Sequence, residues 1–283
     1  MGNVEDRLKN SGIALIMGVI NCTPDSFYSG GRDSTVTGAL QTAERMIRDG
    51  ADILDIGGES TRPGSAYIDA DQEKRRILPV IEGIRNISAI PISVDTRKAD
   101  VAEEALNSGA VIINDISALE DDVRMAELAA EREVPVVLMH KKGNPLTMQK
   151  GPFYEDPVGE IRNYLKERAE WAESCGIRPE RIILDPGIGF GKRTGDNLKL
   201  LGSLDVLGDL GYPVLVGASR KSFIGTLLGD PGAPLSAEER LVGTISVHMW
   251  ALFKGANIIR VHDVRPHVEM RTIYTALQRG EGE

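Results

Sequence analysis

Residues 91–116 read PISVDTRKADVAEEALNSGAVIINDI, and the fold turns on this stretch. Ile92 and Val94 lie in a short apolar run that stops at Asp95-Thr96; Asp100 to Ser108 then carries apolar residues at three- and four-residue spacing; Gly109 stops that segment, and Val111-Ile112-Ile113 opens a second run ending in Asn114-Asp115. A strand-length apolar run, an amphipathic segment and a second run predict a strand-helix-strand unit with parallel strands. The same alternation extends both ways. Upstream lie IALIMGVI (13–20) and ADILDIGG (51–58), with a helical segment from Ala39 to Asp49 between them; downstream lie PVVLMH (135–140), IILDPGIG (182–189), PVLVGAS (213–219) and NIIRVHDV (257–264). Strands rich in Ile, Val and Leu without in-out alternation predict a parallel sheet covered on both faces, and eight such units close into an α/β fold of the (β/α)8 barrel type. Function is then expected at the C-terminal ends of the strands.

Composition agrees. A chain of 283 residues without a Ser/Gly/Pro-rich linker fits one barrel domain over residues 1–283, with its core at about 13–280. The net charge of −9, with no long basic run, argues against nucleic acid or an anionic membrane as partner and for a small ligand. Cys22 and Cys175 lie far apart without zinc-ligand spacing, which points to a reducing compartment. The first residues, MGNVEDRLKN, are too polar for a secretory signal, and no apolar run approaches the roughly 18 residues of a membrane span, so a cytoplasmic protein is expected. Gly50, Gly109 and Gly255 read as helix stops, and Ser236 with Glu239 as a capping box for a helix running toward Lys254. Two long connections, Asn21 to Asp33 and Gly57 to Ala70, read as candidate lids.

Almost every run ends in residues that packing alone would not select: Asn21 to Phe27, Asp95-Thr96-Arg97, Asn114-Asp115, Asp185, Ser219-Arg220-Lys221-Ser222 and Arg260-Val261-His262-Asp263. One strand-end Asp is an ordinary turn residue or cap; five strands doing so together point to a site. The rim reads in two halves. Asp95, Asn114 and Asp185 suit the N–H edge of a flat nitrogen heterocycle, whereas Arg62, Arg220, Lys221, Arg260 and His262 suit an anionic group. The competing reading pairs the cations with Asp25, Asp55, Glu59 and Asp263 in structural ion pairs; for Arg62 and Arg220 both readings stand, while Lys221 and Arg260 are read as ligand contacts. Gly187 to Lys192 has the spacing of neither a dinucleotide nor a triphosphate loop and reads as a tight turn beside Asp185. His140, His248 and His267 lack metal-ligand spacing and read as structural hydrogen-bonders.

In order, NCTPDSF, DIGGESTRPG, SVDTR, INDI, LMH, DPGIGFGK, GASRKSF and RVHDV resemble the motifs of dihydropteroate synthases, from the first strand to the last. The sequence departs from that pattern modestly, at Ser29 and with the extra cation in Lys141-Lys142. The resemblance implies a barrel enzyme of folate biosynthesis that condenses 7,8-dihydropterin-6-ylmethyl pyrophosphate with 4-aminobenzoate, works as a homodimer and is inhibited by sulfonamides. It also implies that Asp95, Asn114, Met139, Asp185, Gly217 and Lys221 line the pterin pocket. Arg260 and His262, with Asn21 through Mg2+, are expected at the pyrophosphate, Val261 among the substrate-binding residues, and Thr61, Arg62, Pro63, Phe27 and Ser222 at the aminobenzoate, with Asp25 ordering the first loop. With no plausible protein nucleophile, the expected chemistry is a dissociative substitution in which Asp95, Lys221 and Asp25 act by charge and position. A pterin-dependent methyltransferase and a non-catalytic pterin-binding barrel are the competing expectations. The first leaves Arg62, Arg260 and His262 without a task, and the intact set Asn21, Asp95, Asp185, Lys221 and Arg260 argues against the second.

Overall fold

The computed structural model describes residues 13–23, 32–60, 65, 67–143 and 151–280. Its elements follow the predicted alternation: β1 (Leu15–Asn21), α1 (Arg32–Arg48), β2 (Ile53–Gly57), α2 (Ala70–Ile87), β3 (Ile92–Asp95), α3 (Ala99–Asn107), β4 (Ile112–Asp115), α4 (Arg124–Glu131), β5 (Val136–Met139) and α5 (Pro157–Ser174). They continue with β6 (Ile182–Asp185), α6 (Thr194–Gly202), α7 (Asp205–Gly208), β7 (Leu215–Val216), α8 (Ser222–Leu228), α9 (Leu241–Phe253), β8 (Ile258–Val261) and α10 (Val264–Arg279). The strands pair in parallel in the order β6-β5-β4-β3-β2-β1-β8-β7, and a parallel bridge between Leu184 and Val214 joins the two edges. The sheet thus closes into the expected (β/α)8 barrel.

Local chemistry sets the helix boundaries. Asp69 accepts from the Gln72 N–H at 2.7 Å to open α2, while Asp156 caps α5 ahead of Pro157. Helices α1, α3 and α9 stop within two residues of Gly50, Gly109 and Gly255, as read from the sequence. Ser236 donates its N–H to the Glu239 carboxylate at 2.9 Å, so this pair opens the 3-10 turn Glu238–Arg240 that precedes α9 rather than α9 itself.

The barrel interior corrects one expectation. Alternation is present, but only in the C-terminal half of the barrel. Outward residues such as Ile16, Leu54, Val94, Ile113, Leu138, Leu184 and Ile259 pack against the helices, while Leu15, Met17, Ile53, Ile112, Val137, Ile183, Leu215 and Ile258 form a separate inner plug. Complete burial of each such side chain stabilises the fold by about 2 kcal/mol. Two residues beyond the plug the inward positions change character: Asp55 follows Ile53, Asn114 follows Ile112, Met139 follows Val137, Asp185 follows Ile183, Gly217 follows Leu215 and Arg260 follows Ile258. Because side chains alternate with period two, this step builds a polar cup on an apolar floor at the strands' C-terminal ends.

Candidate active site

Strand register brings the cup together. Asp55 lies level with Ser93, Asp95 with both Gly57 and Asn114, and Met139 with Asp185. Arg260 is the hub. Its Nε donates to Asp55 Oδ2 at 2.6 Å and a terminal nitrogen to Asp95 Oδ2 at 2.7 Å, while the Asn114 amide donates to the same Asp55 oxygen at 3.0 Å. Bare Gly217 lies against this side chain; a Cβ there would stand 3.7 Å from Arg260 Cβ. One guanidinium therefore serves two carboxylates, and the two halves read from the sequence meet at Arg260 instead of lying apart. The ion-pair reading holds for this residue as well as for Arg220, whose guanidinium grips Asp263 through two bonds of 2.9 and 2.7 Å.

Burial tunes the charges. It pushes the Asp95 carboxyl up to about 7, against the pull of Arg260 and reinforced by the nearby carboxylate of Asp55. Asp185 is pushed up to about 6 by burial, opposed by the Gly187 N–H that it accepts at 2.7 Å and by Arg260. Lys221 is brought down to about 8 by burial and by Arg260, with Asp185 and Asp95 opposing. Burial also works against the charge of Arg260, but Asp55 and Asp95 outweigh it and its pKa rises. The cup thus holds two carboxyls and one ammonium that change protonation near neutrality.

The loop after β6 supports Lys221. Gly187 has φ +65°, and a Cβ there would stand 1.9 Å from the His140 carbonyl oxygen; Gly191, also at φ +65°, would meet the Lys142 carbonyl at 2.1 Å. Only glycine permits these approaches. The buried Lys192 ammonium closes the turn, reaching His140 Nδ1 at 2.9 Å and the carbonyls of Gly187 at 2.9 Å and Phe190 at 3.1 Å. Phe190 is thereby presented to Lys221, whose ammonium sits 3.9 Å from the ring centroid. The turn expected beside Asp185 is present, and it also places an aromatic face that the sequence reading did not select.

At the β7–β8 edge the His262 N–H donates to Ser219 Oγ at 3.2 Å, and His262 Nδ1 meets the same hydroxyl at 2.9 Å. The Ser219 hydroxyl accepts from the amide and fixes the ring through Nδ1, which leaves Nε2 as the other polar atom of the imidazole. Burial and Arg260 push His262 down to about 4, so the imidazole is neutral at physiological pH.

Outside the cup runs a ring of ion pairs that motif reading did not bring together. Arg97 binds Glu59 at 2.9 Å and Asp121 at 2.5 Å, Lys98 binds Glu59 at 2.6 Å and buried Glu73 at 2.5 Å, and Lys141 binds Asp121 at 2.9 Å. The extra cation Lys141 is thus absorbed by this ring. Asp115, although at a strand end, caps its own turn by accepting from the N–H groups of Ser117 and Leu119.

The cup's donors and acceptors suit a flat heterocycle bound edge-on with an anion leading toward His262. The description of pterin binding enzymes matches residues 17–262. A dihydropteroate synthase from Synechocystis is 43% identical over 264 residues, covering 93% of this chain and 90% of that one. The chain belongs to the dihydropteroate synthase family. Dihydropteroate synthase from Xanthomonas albilineans solved with 4-aminobenzoic acid superposes with a TM-score of 0.88 at 43% identity, covering 96% of this chain and 94% of that one. The same organism's enzyme in complex with 7,8-dihydropteroate gives 0.85 at 41% identity, covering 96% and 95%.

Against the dihydropteroate synthase expectation, the structure brings Asp95, Asn114, Met139, Asp185, Gly217, Lys221, Arg260 and His262 to one cup, with Asn21 at the end of β1 beside Gly57. Ser222 opens α8 and is exposed. Val261 is corrected: alternation turns its side chain away from Arg260 and His262 into the shell beneath the helices, where it is fully buried, so only its main chain borders the site. Asp25, Phe27, Thr61, Arg62 and Pro63 lie outside the described residues, as do 24–31 of the first candidate lid and 61–64 and 66 of the second. Asp55, Ser219 and Phe190 were not selected as site residues. Asp55 had a visible signal, since it stands two residues after Ile53 just as Asp185 stands after Ile183.

Proposed function

We propose that this rim condenses 7,8-dihydropterin-6-ylmethyl pyrophosphate with 4-aminobenzoate to give 7,8-dihydropteroate and pyrophosphate. The observation that carries the reading is the convergence of Asp95, Asn114 and Asp185 with Lys221, Arg260 and His262 in one cup on an apolar floor. Asp185, poised near neutrality, is suited to pair with the amino-pyrimidine edge of the pterin. Lys221, held over Phe190, offers its ammonium to the ring's carbonyl side. His262 offers a neutral imidazole, and Arg260 a permanent charge, toward the pyrophosphate.

The methylene C–O bond breaks with its electron pair leaving on pyrophosphate. The arylamine lone pair then forms the C–N bond, and one amine proton is lost. The positive charge left on the dihydropterin after the first step faces Asp95, whose ionised form stabilises it; no protein nucleophile takes part. Cys22 is unsuited to that role, being fully buried with its thiol pushed up to about 12.

Among the described residues no three His, Cys, Asp or Glu side chains gather as a metal site. A Mg2+ that arrives with pyrophosphate oxygens would need only one or two protein oxygens, here the Asn21 amide. When bound, the ion neutralises leaving-group charge. A cytoplasmic homodimer completes the reading. Two unpaired cysteines fit the location. Leu227, Leu228, Val242, Trp250, Phe253, Ile273 and Leu277 stand exposed on α8, α9 and α10, on the side walls rather than the rim, and a second copy would cover them. Pyrophosphate release from the pterin substrate with Mg2+, followed with and without 4-aminobenzoate, tests the function: dihydropteroate formation supports it, and tight pterin binding without turnover refutes it.

A further inference from the structure

Beneath the cup, two histidines that the reaction does not use span the gap between α9 and α10. His248 and His267 are both 0% exposed, and His248 Nδ1 lies 2.9 Å from His267 Nε2. Both ends of the pair are fixed by main chain. The Ala218 N–H donates to His248 Nε2 at 3.1 Å, and His267 Nδ1 meets the Asp263 carbonyl oxygen at 2.6 Å. An amide nitrogen can only donate and a carbonyl can only accept, so every proton in the chain is assigned. His248 Nε2 accepts, its Nδ1–H donates to His267 Nε2, and His267 Nδ1–H donates to Asp263. A second proton on either ring would break a bond already made. Burial holds both imidazoles below the usual histidine range, in keeping with this single arrangement.

The two ends matter because of their neighbours. Ala218 opens the turn that delivers Ser219, Arg220 and Lys221, with the Lys221 N–H returning to the Ala218 carbonyl at 3.2 Å. Asp263 follows His262 and binds Arg220 through both carboxylate oxygens. Arg220 occupies a left-handed backbone conformation, φ 57°, held by Thr244 Oγ1 at its N–H and Arg240 at its carbonyl. Three links therefore stitch the rim after β7 to the rim after β8: Ser219 to His262, Arg220 to Asp263, and the histidine wire below them.

We propose that His248 and His267 are positioning residues that fix the Ala218–Lys221 turn against His262 and Asp263, and so set the spacing of Lys221 and His262 for the pyrophosphate-bearing substrate. The inference rests on the synthase reading for the identity of that substrate. The decisive variant is His248→Phe, which keeps a ring but removes the acceptor, with His248→Gln restoring an acceptor near Nε2. His248→Phe is expected to raise the KM for the pterin pyrophosphate about ten-fold and to lower kcat, a combined loss in kcat/KM on the order of the 100-fold that a misplacement near 1 Å can cost, with the KM for 4-aminobenzoate held within about two-fold. His248→Gln is expected to recover most of the loss. A lowered melting temperature with unchanged KM values, or equal rises in both KM values, would overturn the proposal while leaving intact the synthase activity of the unaltered enzyme. Should His248→Phe fail to fold, nitrogen NMR of the unaltered enzyme decides: both rings should be neutral with the proton on Nδ1, and inorganic pyrophosphate with Mg2+ should shift both resonances. An Nε2–H tautomer, or silence toward pyrophosphate, overturns it.

Discussion

The Arg260 guanidinium meets the Asp55 carboxylate at 2.6 Å beneath the site, with Asp55 fully buried and Arg260 extending to Asp95 above. This pair links the apolar floor to the reacting layer. Removing the cation strands a buried carboxylate, which costs far more than a surface pair is worth. Arg260→Ala is therefore expected to lower unfolding stability by about 3 kcal/mol, and Asp55→Asn/Arg260→Met to recover part of that. Urea denaturation of the two variants checks it. A loss under about 1 kcal/mol for Arg260→Ala would mean that Asp55 finds another partner.

Asp95 faces the charge that develops once pyrophosphate departs. Asp95→Asn preserves the shape of the pocket and a partner for Arg260, but removes the anion. Turnover is expected to fall at least about 100-fold, with the dissociation constant for the pterin changing less than about ten-fold. Single-turnover rates beside equilibrium binding separate the two, and equal losses would refute a role in stabilising the cation.

The same burial predicts a pH profile. Asp95, raised to about 7, gains its charge as pH rises, while Lys221, lowered to about 8, loses its charge. The free enzyme's kcat/KM should therefore be bell-shaped, with limbs near 7 and 8. Asp95→Asn should abolish the acid limb, and Lys221→Arg should move the alkaline limb upward. Stability runs the opposite way on the acid side. A carboxyl raised from 3.8 to about 7 binds its proton more tightly when folded, so its contribution declines as pH climbs through that window. Relative to the parent, Asp95→Asn should gain stability from pH 4 to pH 7, which melting curves across that range would show.

How much of this was legible in the sequence follows from which force placed each residue. Apolar runs and helical spacing encode hydrophobic burial, a local pattern, so the eight units and the strand-end candidates could be read directly. The step from Ile53 to Asp55, repeated at Ile112–Asn114 and Ile183–Asp185, was equally visible but was masked by the apolar outward residues between. Contacts that depend on barrel closure were not legible. Arg260 meets Asp55 across 205 residues and Arg220 meets Asp263 across 43, and no spacing rule announces either. Val261 was misjudged because a family motif gives a position but not the face on which its side chain falls.

The loop carrying Phe190 offers a test of backbone geometry against side-chain chemistry. Gly187 combines φ +65° with a Cβ position 1.9 Å from the His140 carbonyl, whereas Gly195, on α6, has nothing within 4 Å of its own. Gly187→Ala must rotate its backbone or push the strand-end carbonyl away, and either movement shifts the Lys192 ammonium, which binds both His140 and Gly187. A loss of about 3 kcal/mol and a marked fall in turnover are expected, because a left-handed backbone cost and a backbone clash act together. Gly195→Ala reduces the freedom of the unfolded chain at a first-turn helix position and should stabilise by about 0.5 kcal/mol with activity unchanged. Calorimetric melts and steady-state rates on both variants decide the matter. A tolerated Gly187→Ala would show that the turn after β6 does not hold Phe190 and Lys221 in place.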